Sequence, residues 1–180
     1  LTTMHFIHQY AGQNVSILEV GAGTGRYSIA LAKEGYHVTA VELVGHNLKI
    51  LRQNSQDIAN LVSYQGDALD LSRFANNTFD VTLVLGPMYH LYSAADHHRA
   101  LNEAIRVTKP GGVILVAFLS IYGIMFTNYL KDNFRLGFEE NYTPDYVVRH
   151  FEEQGFTAFD ITDFENLFAG KRVSHLGTVS

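Results

Sequence analysis

A chain of 180 residues that is 47% hydrophobic and only 17% charged is long enough to bury one sizeable core and too apolar to be largely disordered. Its formal net charge of −5 argues against a broad phosphate-binding surface, so nucleic acid is not an expected partner. The absence of cysteine excludes disulfides, thiolate metal sites and a cysteine nucleophile; with no signal-like start and no apolar run near the ~20 residues of a membrane span, the expected compartment is the cytoplasm, away from membranes.

The chain opens with Leu1 to Asn14, rich in His and aromatic residues, and reads as a start cut part-way, with little room for structure before the first strand. His5 and His8 could share a helix face, but no neighbouring carboxylate or third His completes a metal site, and no metal is expected. Ser16 to Gly35 then runs as a buried strand, a glycine turn and a helix. Ile17, Leu18 and Val20 form a short apolar run, and Tyr27, Ala30 and Leu31 recur at helical spacing. Glu19 interrupts the apolar run; a carboxylate there needs a partner, expected in the turn backbone or in a ligand. Gly21, Gly23 and Gly25 read GxGxG, a pattern that lets a ligand lie against bare backbone at the start of a helix with free N–H groups.

Gly35 takes the place of a helix-ending glycine, and His37 to Val41 alternates into a second strand that Glu42 closes. Glu42 lies 21 residues after Gly21, where a doubly wound nucleotide-binding unit places a carboxylate for ribose hydroxyls; a solvated strand-end acid is the other reading. His46 to Asn54 is expected to be helical and Leu61 to Gln65 a third strand, after which Asp67 is again an acid at a strand's C-terminal end, or else the cap of a turn from Leu69 to Phe74. Phe79 to Leu85 fits a central strand covered on both faces. Beyond Gly86, Pro87, Met88, Tyr89 and His90, the run SAAD from Ser93 caps a helix whose buried face is expected to hold Leu101, Ala104, Ile105 and Thr108, with His97 and His98 solvated. Lys109 to Gly112 should turn the chain into a fifth strand, Val113 to Leu119. Strands and helices alternate throughout, the pattern of an α/β fold with a parallel sheet.

After this the texture changes. Ile121 to Tyr142 carries six aromatics, and reads either as a segment covering a pocket or as packing against the sheet edge. Thr143 and Pro144 begin a helix that should run to Gly155, a sixth strand is expected from Phe156 to Ile161, and Val173 to Ser180 is weakly strand-like. No repeat or linker divides the chain, so residues 1–180 read as one domain.

From Ser16 to about Leu119 the sequence resembles the class I S-adenosylmethionine-dependent methyltransferases. EVGAGTG at Glu19 to Gly25 is similar to that family's first motif and VEL at Val41 to Leu43 to its ribose-binding acidic motif. GDA at Gly66 to Ala68 resembles its adenine-binding turn, FDVTLVLGPMYHL at Phe79 to Leu91 its fourth-strand motif, and LNEAIRVTKPGGVILV at Leu101 to Val116 its helix and fifth strand. The resemblance implies a doubly wound αβα sandwich, mostly parallel, with an antiparallel last strand that is expected to be incomplete here. It implies S-adenosylmethionine as cofactor, with Gly21, Ala22, Gly23 and Gly25 along its methionine and ribose, Glu19 near its amino group and Glu42 on the ribose diol. Leu43 and Ala68 would touch the adenine, Asp67 would accept from its amino group, and Leu85 and Gly86 would offer backbone near the methionine end.

The acceptor is less defined. GPMY follows the fourth strand where family members acting on nucleic-acid or glutamine amino groups commonly carry Asn or Asp, two Pro and an aromatic, which favours a small-molecule acceptor over a base amino group. Tyr89 and His90 stand where an acceptor should lie, His90 as a general base and Tyr89 as a substrate contact, with packing and helix entry as the other readings. The expected function is in-line methyl transfer to a small molecule. Two alternatives stay open: a nicotinamide-dependent oxidoreductase, disfavoured by Arg26 where a GxGxxG turn has its last glycine, and a cofactor-binding partner without turnover.

Overall fold

The computed structural model describes residues 2–126 and 157–179. Helix α1, Thr2–Tyr10, precedes β1, Ser16–Val20; then follow α2, Arg26–Lys33, β2, His37–Glu42, α3, Gly45–Asn54, and β3, Leu61–Gln65. The second half holds β4, Phe79–Val84, a 3-10 turn at Pro87–Tyr89, α4, Ala94–Val107, and β5, Thr108–Val116. Two short strands, β6 at Leu119–Ser120 and β7 at Ala158–Phe159, flank α5, Ile121–Met125, and α6, Ile161–Asn166, comes last.

The main sheet has five strands in the order β3-β2-β1-β4-β5, every pair parallel. The chain leaves β1 in one direction to build β2 and β3, then returns to β1's other side with β4. That reversal makes the C-terminal ends of β1 and β4 the topological switch point, where open α/β sheets bind ligands. Alternation along β1 divides the core. Ile17 packs with Ile7 of α1 and Leu31 and Ala32 of α2, while Leu18 and Val20 face the other way toward Leu71 and Val107. Each such fully buried aliphatic contributes roughly 1.5–3 kcal/mol relative to an exposed position. Helix α3 joins the α2 side through Leu51, which meets Ala22 and Ala40. The result is an α/β sandwich, as expected.

Several expectations need correction. Residues 2–10 are helical and Ile7 is fully buried, so the opening segment is part of the core. Helix α4 stops at Val107 and Thr108 already pairs with Phe79; two steps along β4 then correspond to five along β5, so Lys109 to Gly112 is a bulge inside a strand rather than a turn before one. The expected fifth strand ends at Val116, leaving Leu119 to the separate, parallel β6–β7 pair. Of the expected sixth strand only Ala158 and Phe159 are extended, because Asp160 caps α6 by accepting from the Thr162 N–H at 2.8 Å. Residues 173–179 form no strand, and no antiparallel strand pair occurs among the described residues. The expected helix from Thr143 to Gly155, and most of the aromatic segment up to Tyr142, lie outside them.

Candidate active site

Where β1 ends, the chain turns through Gly21 to Gly25 under tight backbone control. The Gly21 and Ala22 N–H groups both donate to the Val41 carbonyl, at 2.8 and 3.0 Å, and the Gly25 N–H donates to Ala22 O at 2.9 Å. Gly21 has φ +74°, and a Cβ there would come within 2.8 Å of Pro87 Cδ, so both conformation and crowding require glycine. A Cβ on Gly25 would stand 2.8 Å from Leu51 Cγ, which gives this glycine the job of letting α2 pack on α3. At Gly23 the corresponding space is open, which leaves room for a ligand to approach the backbone.

Glu42 organises the next layer. Its side chain is buried, with 5% of the residue exposed. Oε2 accepts from the Gly23 N–H at 2.7 Å and Oε1 from the Val44 N–H at 2.8 Å, with Asn47 Nδ2 at 3.5 Å. The carboxylate therefore joins the glycine turn to the start of α3. Beside it Leu43 and Val44 are 59% and 51% exposed, an apolar shelf at the C-terminal end of β2. Asp67 lies beyond the neighbouring strand end. Its Oδ1 accepts from the Leu69 N–H at 2.9 Å, the turn-capping role anticipated as one reading, while Oδ2 takes no hydrogen bond among the described residues. Ala68, half-buried, packs against the clusters on the α4 side.

The loop carrying Asp67 is held from behind by α4. Arg106 Nε and Nη2 grip both oxygens of Glu103, at 2.7 and 2.8 Å, while its remaining donors reach Phe74 O, Asn76 Oδ1 and Leu71 O, each at 2.9 Å. All five guanidinium donors are engaged. Glu103 Oε2 also accepts from the Leu71 N–H at 2.6 Å, and the Arg106 contact holds its carboxyl below the usual range.

Glu19 is 2% exposed, and its partner is neither the glycine turn nor open space but the hydroxyl of Ser28 in the first turn of α2. Burial pushes this carboxyl up to about 7; the Ser28 hydroxyl and N–H pull against that, and the charge of Glu42 adds slightly to it.

On the other side of the switch point, Leu85 packs with the α2-side core and leads into Gly86. A Cβ on Gly86 would sit 3.3 Å from Gly21 O and 3.9 Å from the Tyr89 hydroxyl. Tyr89 is therefore aimed back toward the glycine turn. Burial raises its phenol above the usual value, and the nearby Tyr27 phenol adds to the shift. His90 is exposed, its ring centroid 4.8 Å from that of Tyr89. The segment is braced by residues that sequence reasoning placed elsewhere or passed over. His97 is buried rather than solvated, with Nε2 3.0 Å from Met88 O and its ring edge-on to Phe159 at 4.9 Å. Thr157 donates through its N–H to Tyr89 O and through its hydroxyl to Leu91 O. His98 is exposed as expected, and His8 meets the carboxylate of Glu34 at 2.6 Å, a neighbour too distant in sequence to anticipate.

The structure thus gathers Gly21, Ala22, Gly23, Glu42, Leu43, Asp67, Gly86 and Tyr89 along one edge of the sheet, with Glu19 beneath them. It fits an adenosyl ligand on its own terms: a buried carboxylate at a strand end, an exposed apolar shelf next to it, an acid beyond, and open backbone at Gly23. The model for the methyltransferase domain matches residues 18–116, more than half the chain. The chain belongs to the S-adenosylmethionine-dependent methyltransferase family. That family's methyl donor is S-adenosylmethionine, which sets aside the nicotinamide alternative.

Relatives in the family include demethylmenaquinone methyltransferases. That of Paenarthrobacter aurescens is 33% identical over 119 residues, covering 63% of this chain and 44% of the relative. The enzyme of Renibacterium salmoninarum is 37% identical over 120 residues, covering 63% and 47%. The chain thus spans about half the length of the curated relatives it matches. The fold is shared with an S-adenosylmethionine-dependent methyltransferase from Methanosarcina mazei, at 19% identity and a TM-score of 0.72 over 91% of this chain and 81% of that one. A Pyrococcus horikoshii protein gives 21% identity and a TM-score of 0.73, over 92% and 76%.

Proposed function

We propose that this chain carries out methyl transfer from S-adenosylmethionine to a small-molecule acceptor, and that residues 1–180 act as one cytoplasmic catalytic domain. The observation that carries the reading is the Glu42 carboxylate, buried and fixed by the Gly23 and Val44 N–H groups at a strand end, where its oxygens face the open backbone of the glycine turn. When bound, S-adenosylmethionine would supply an activated methyl on its sulfonium for an acceptor nucleophile, leaving S-adenosylhomocysteine. Glu42 would hold the ribose, Leu43 and Ala68 would flank the adenine, and Asp67, whose Oδ1 is taken by the Leu69 N–H, would accept from the adenine amino group. Ordered placement of this kind is worth up to ~7–11 kcal/mol of a barrier. The segment Gly86 to His90 forms the acceptor wall, with His90 taking the proton an acceptor hydroxyl or acidic carbon releases. Relatives named for methylating demethylmenaquinone support a small-molecule acceptor of this kind.

The test is calorimetric titration with S-adenosylhomocysteine, followed by single-turnover transfer of labelled methyl into the small-molecule fraction of a cell extract. Tight binding with transfer supports the proposal. Binding without any transfer would favour a cofactor-binding partner, and label entering only nucleic acid or protein would reject the small-molecule acceptor.

A further inference from the structure

Helix α4 buries His97, Ala100, Leu101 and Ala104 and leaves Arg99 and Asn102 on its exposed face. Between that face and the loop at Leu69 and Asp70 lies an open hollow of about 480 Å³. A second, of about 350 Å³, begins at the same Asn102 and Arg106 and has residues 169–172, beyond α6, as its other bank. Sharing two lining residues, the hollows form one trench along the helix. From Ala95 to Arg106 the helix rises roughly 17 Å, which about five residues of extended chain would match. Both banks are fixed. Arg106 is fully engaged by Glu103 and the loop, and Lys171 Nζ donates to Asn102 Oδ1 at 2.6 Å, pinning the 169–172 segment to α4.

The trench is basic on an acidic chain. Its lining carries Arg99, Arg106, Lys171 and Arg172 against Asp70 and Glu103, whereas the whole chain has a formal net charge of −5. Arg106 and Glu103 neutralise each other, and the partner of Lys171 is an uncharged amide. Arg99 and Arg172 are exposed and make no hydrogen bond or ion pair among the described residues. Three cations are thus set against one carboxylate, Asp70. A small anion would find no enclosure in so open a trench, but a chain bearing several carboxylates can lie along it and meet positive charge in both hollows. We propose that this trench is the docking site for an extended acidic segment of a partner protein, held by Arg99 at one end and by Lys171 and Arg172 at the other. Its wall at Leu69 and Asp70 belongs to the loop that carries Asp67, so a docked segment would touch that loop on the side that α4 holds. The inference does not depend on the donor assignment.

The probe is an end-blocked octaglutamate peptide, followed by fluorescence anisotropy on the intact chain at low salt, beside octaglutamine and an eight-nucleotide oligothymidylate. Octaglutamate is expected to bind, and to bind more weakly as salt is raised, while octaglutamine does not. Arg99→Gln and Arg172→Gln are each expected to weaken octaglutamate about threefold, the scale of an exposed ion pair, and about tenfold together. Arg99→Lys and Arg172→Lys keep the charge and should retain binding, and Lys49→Gln, which removes an exposed cation from α3 instead, should leave it unchanged. Absence of octaglutamate binding overturns the inference. So does an equal loss in Lys49→Gln, which would mean diffuse attraction, or in the lysine variants, which would mean a lost fold. Tighter binding of the oligothymidylate would overturn it too, assigning the trench to nucleic acid.

Discussion

The N–H of Gly23 donates to Oε2 of Glu42 across 2.7 Å, tying two residues 19 apart in sequence into one corner of the site. Since Oε1 serves Val44 at the same time, both carboxylate oxygens have structural work before any ligand arrives. A glutamine at this position has one acceptor where two are needed, and its NH₂ would point at an N–H. Glu42→Gln is expected to lower stability by about 1–3 kcal/mol and S-adenosylhomocysteine affinity by at least about tenfold. Asp67→Ala should weaken the same ligand with a smaller stability cost, because only the Leu69 N–H depends on it. Urea unfolding and calorimetry check both, and undiminished binding in the pair of variants would remove these acids from the site.

The glycines of the turn should separate by phenotype. In Gly21→Ala the new methyl meets the Pro87 ring in a backbone conformation that alanine rarely adopts, so a loss of roughly 2 kcal/mol or more is expected, read as a lowered Tm. In Gly23→Ala, at φ +57°, the backbone strain remains but the methyl enters open space. That variant should keep more of its stability and still lose donor binding, because the ligand and not the protein meets the added carbon.

Burial of Glu19 makes a prediction about pH with a definite sign. Its carboxyl titrates near 7 in the folded chain against an ordinary 4.5, so folding takes up a proton between those values. Stability from this group is therefore fully present below about pH 4.5, declines as pH rises, and is lost above about 7. Glu19→Gln removes that slope. Between pH 5 and pH 8 the wild type should lose of order 3 kcal/mol relative to the variant in urea unfolding, and parallel pH profiles would show that the carboxyl is not perturbed.

Arg106 is predicted to tolerate not even lysine. An ammonium cannot serve the two Glu103 oxygens, two loop carbonyls and Asn76 together. Arg106→Lys should cost about 1–3 kcal/mol, speed hydrogen exchange in residues 66–78 and weaken methylthioadenosine through a loosened Asp67. Exchange rates matching wild type in that loop would refute the clamp.

What could be read from the sequence was what depends on local pattern. The runs at Ile17 to Val20 and Phe79 to Val84, the capped start of α4 at Ser93, and the acids closing β2 and β3 all follow from residues a few positions apart. What escaped depends on pairing across the fold. Ser28 looked like one polar residue on a helix and proved to be the partner of Glu19. His97, one of two adjacent histidines, faces inward because α4 turns that position toward the Met88 carbonyl and Phe159. Arg106 and Glu103 looked like an ordinary helical charge pair; their second set of bonds, to a loop some thirty residues earlier, has no sequence signature.

Thr157 holds two carbonyls of the turn that bears Tyr89 and His90, although it follows them by more than sixty residues. Among the described residues, the groups proposed to grip the nucleoside, by contrast, all precede Val107. On the proposed function, donor capture and acceptor alignment draw on different stretches of chain. Lesions near residue 157 should yield a protein that still retains its nucleoside but turns over poorly, a class of defect that a binding screen would pass and an activity screen would catch.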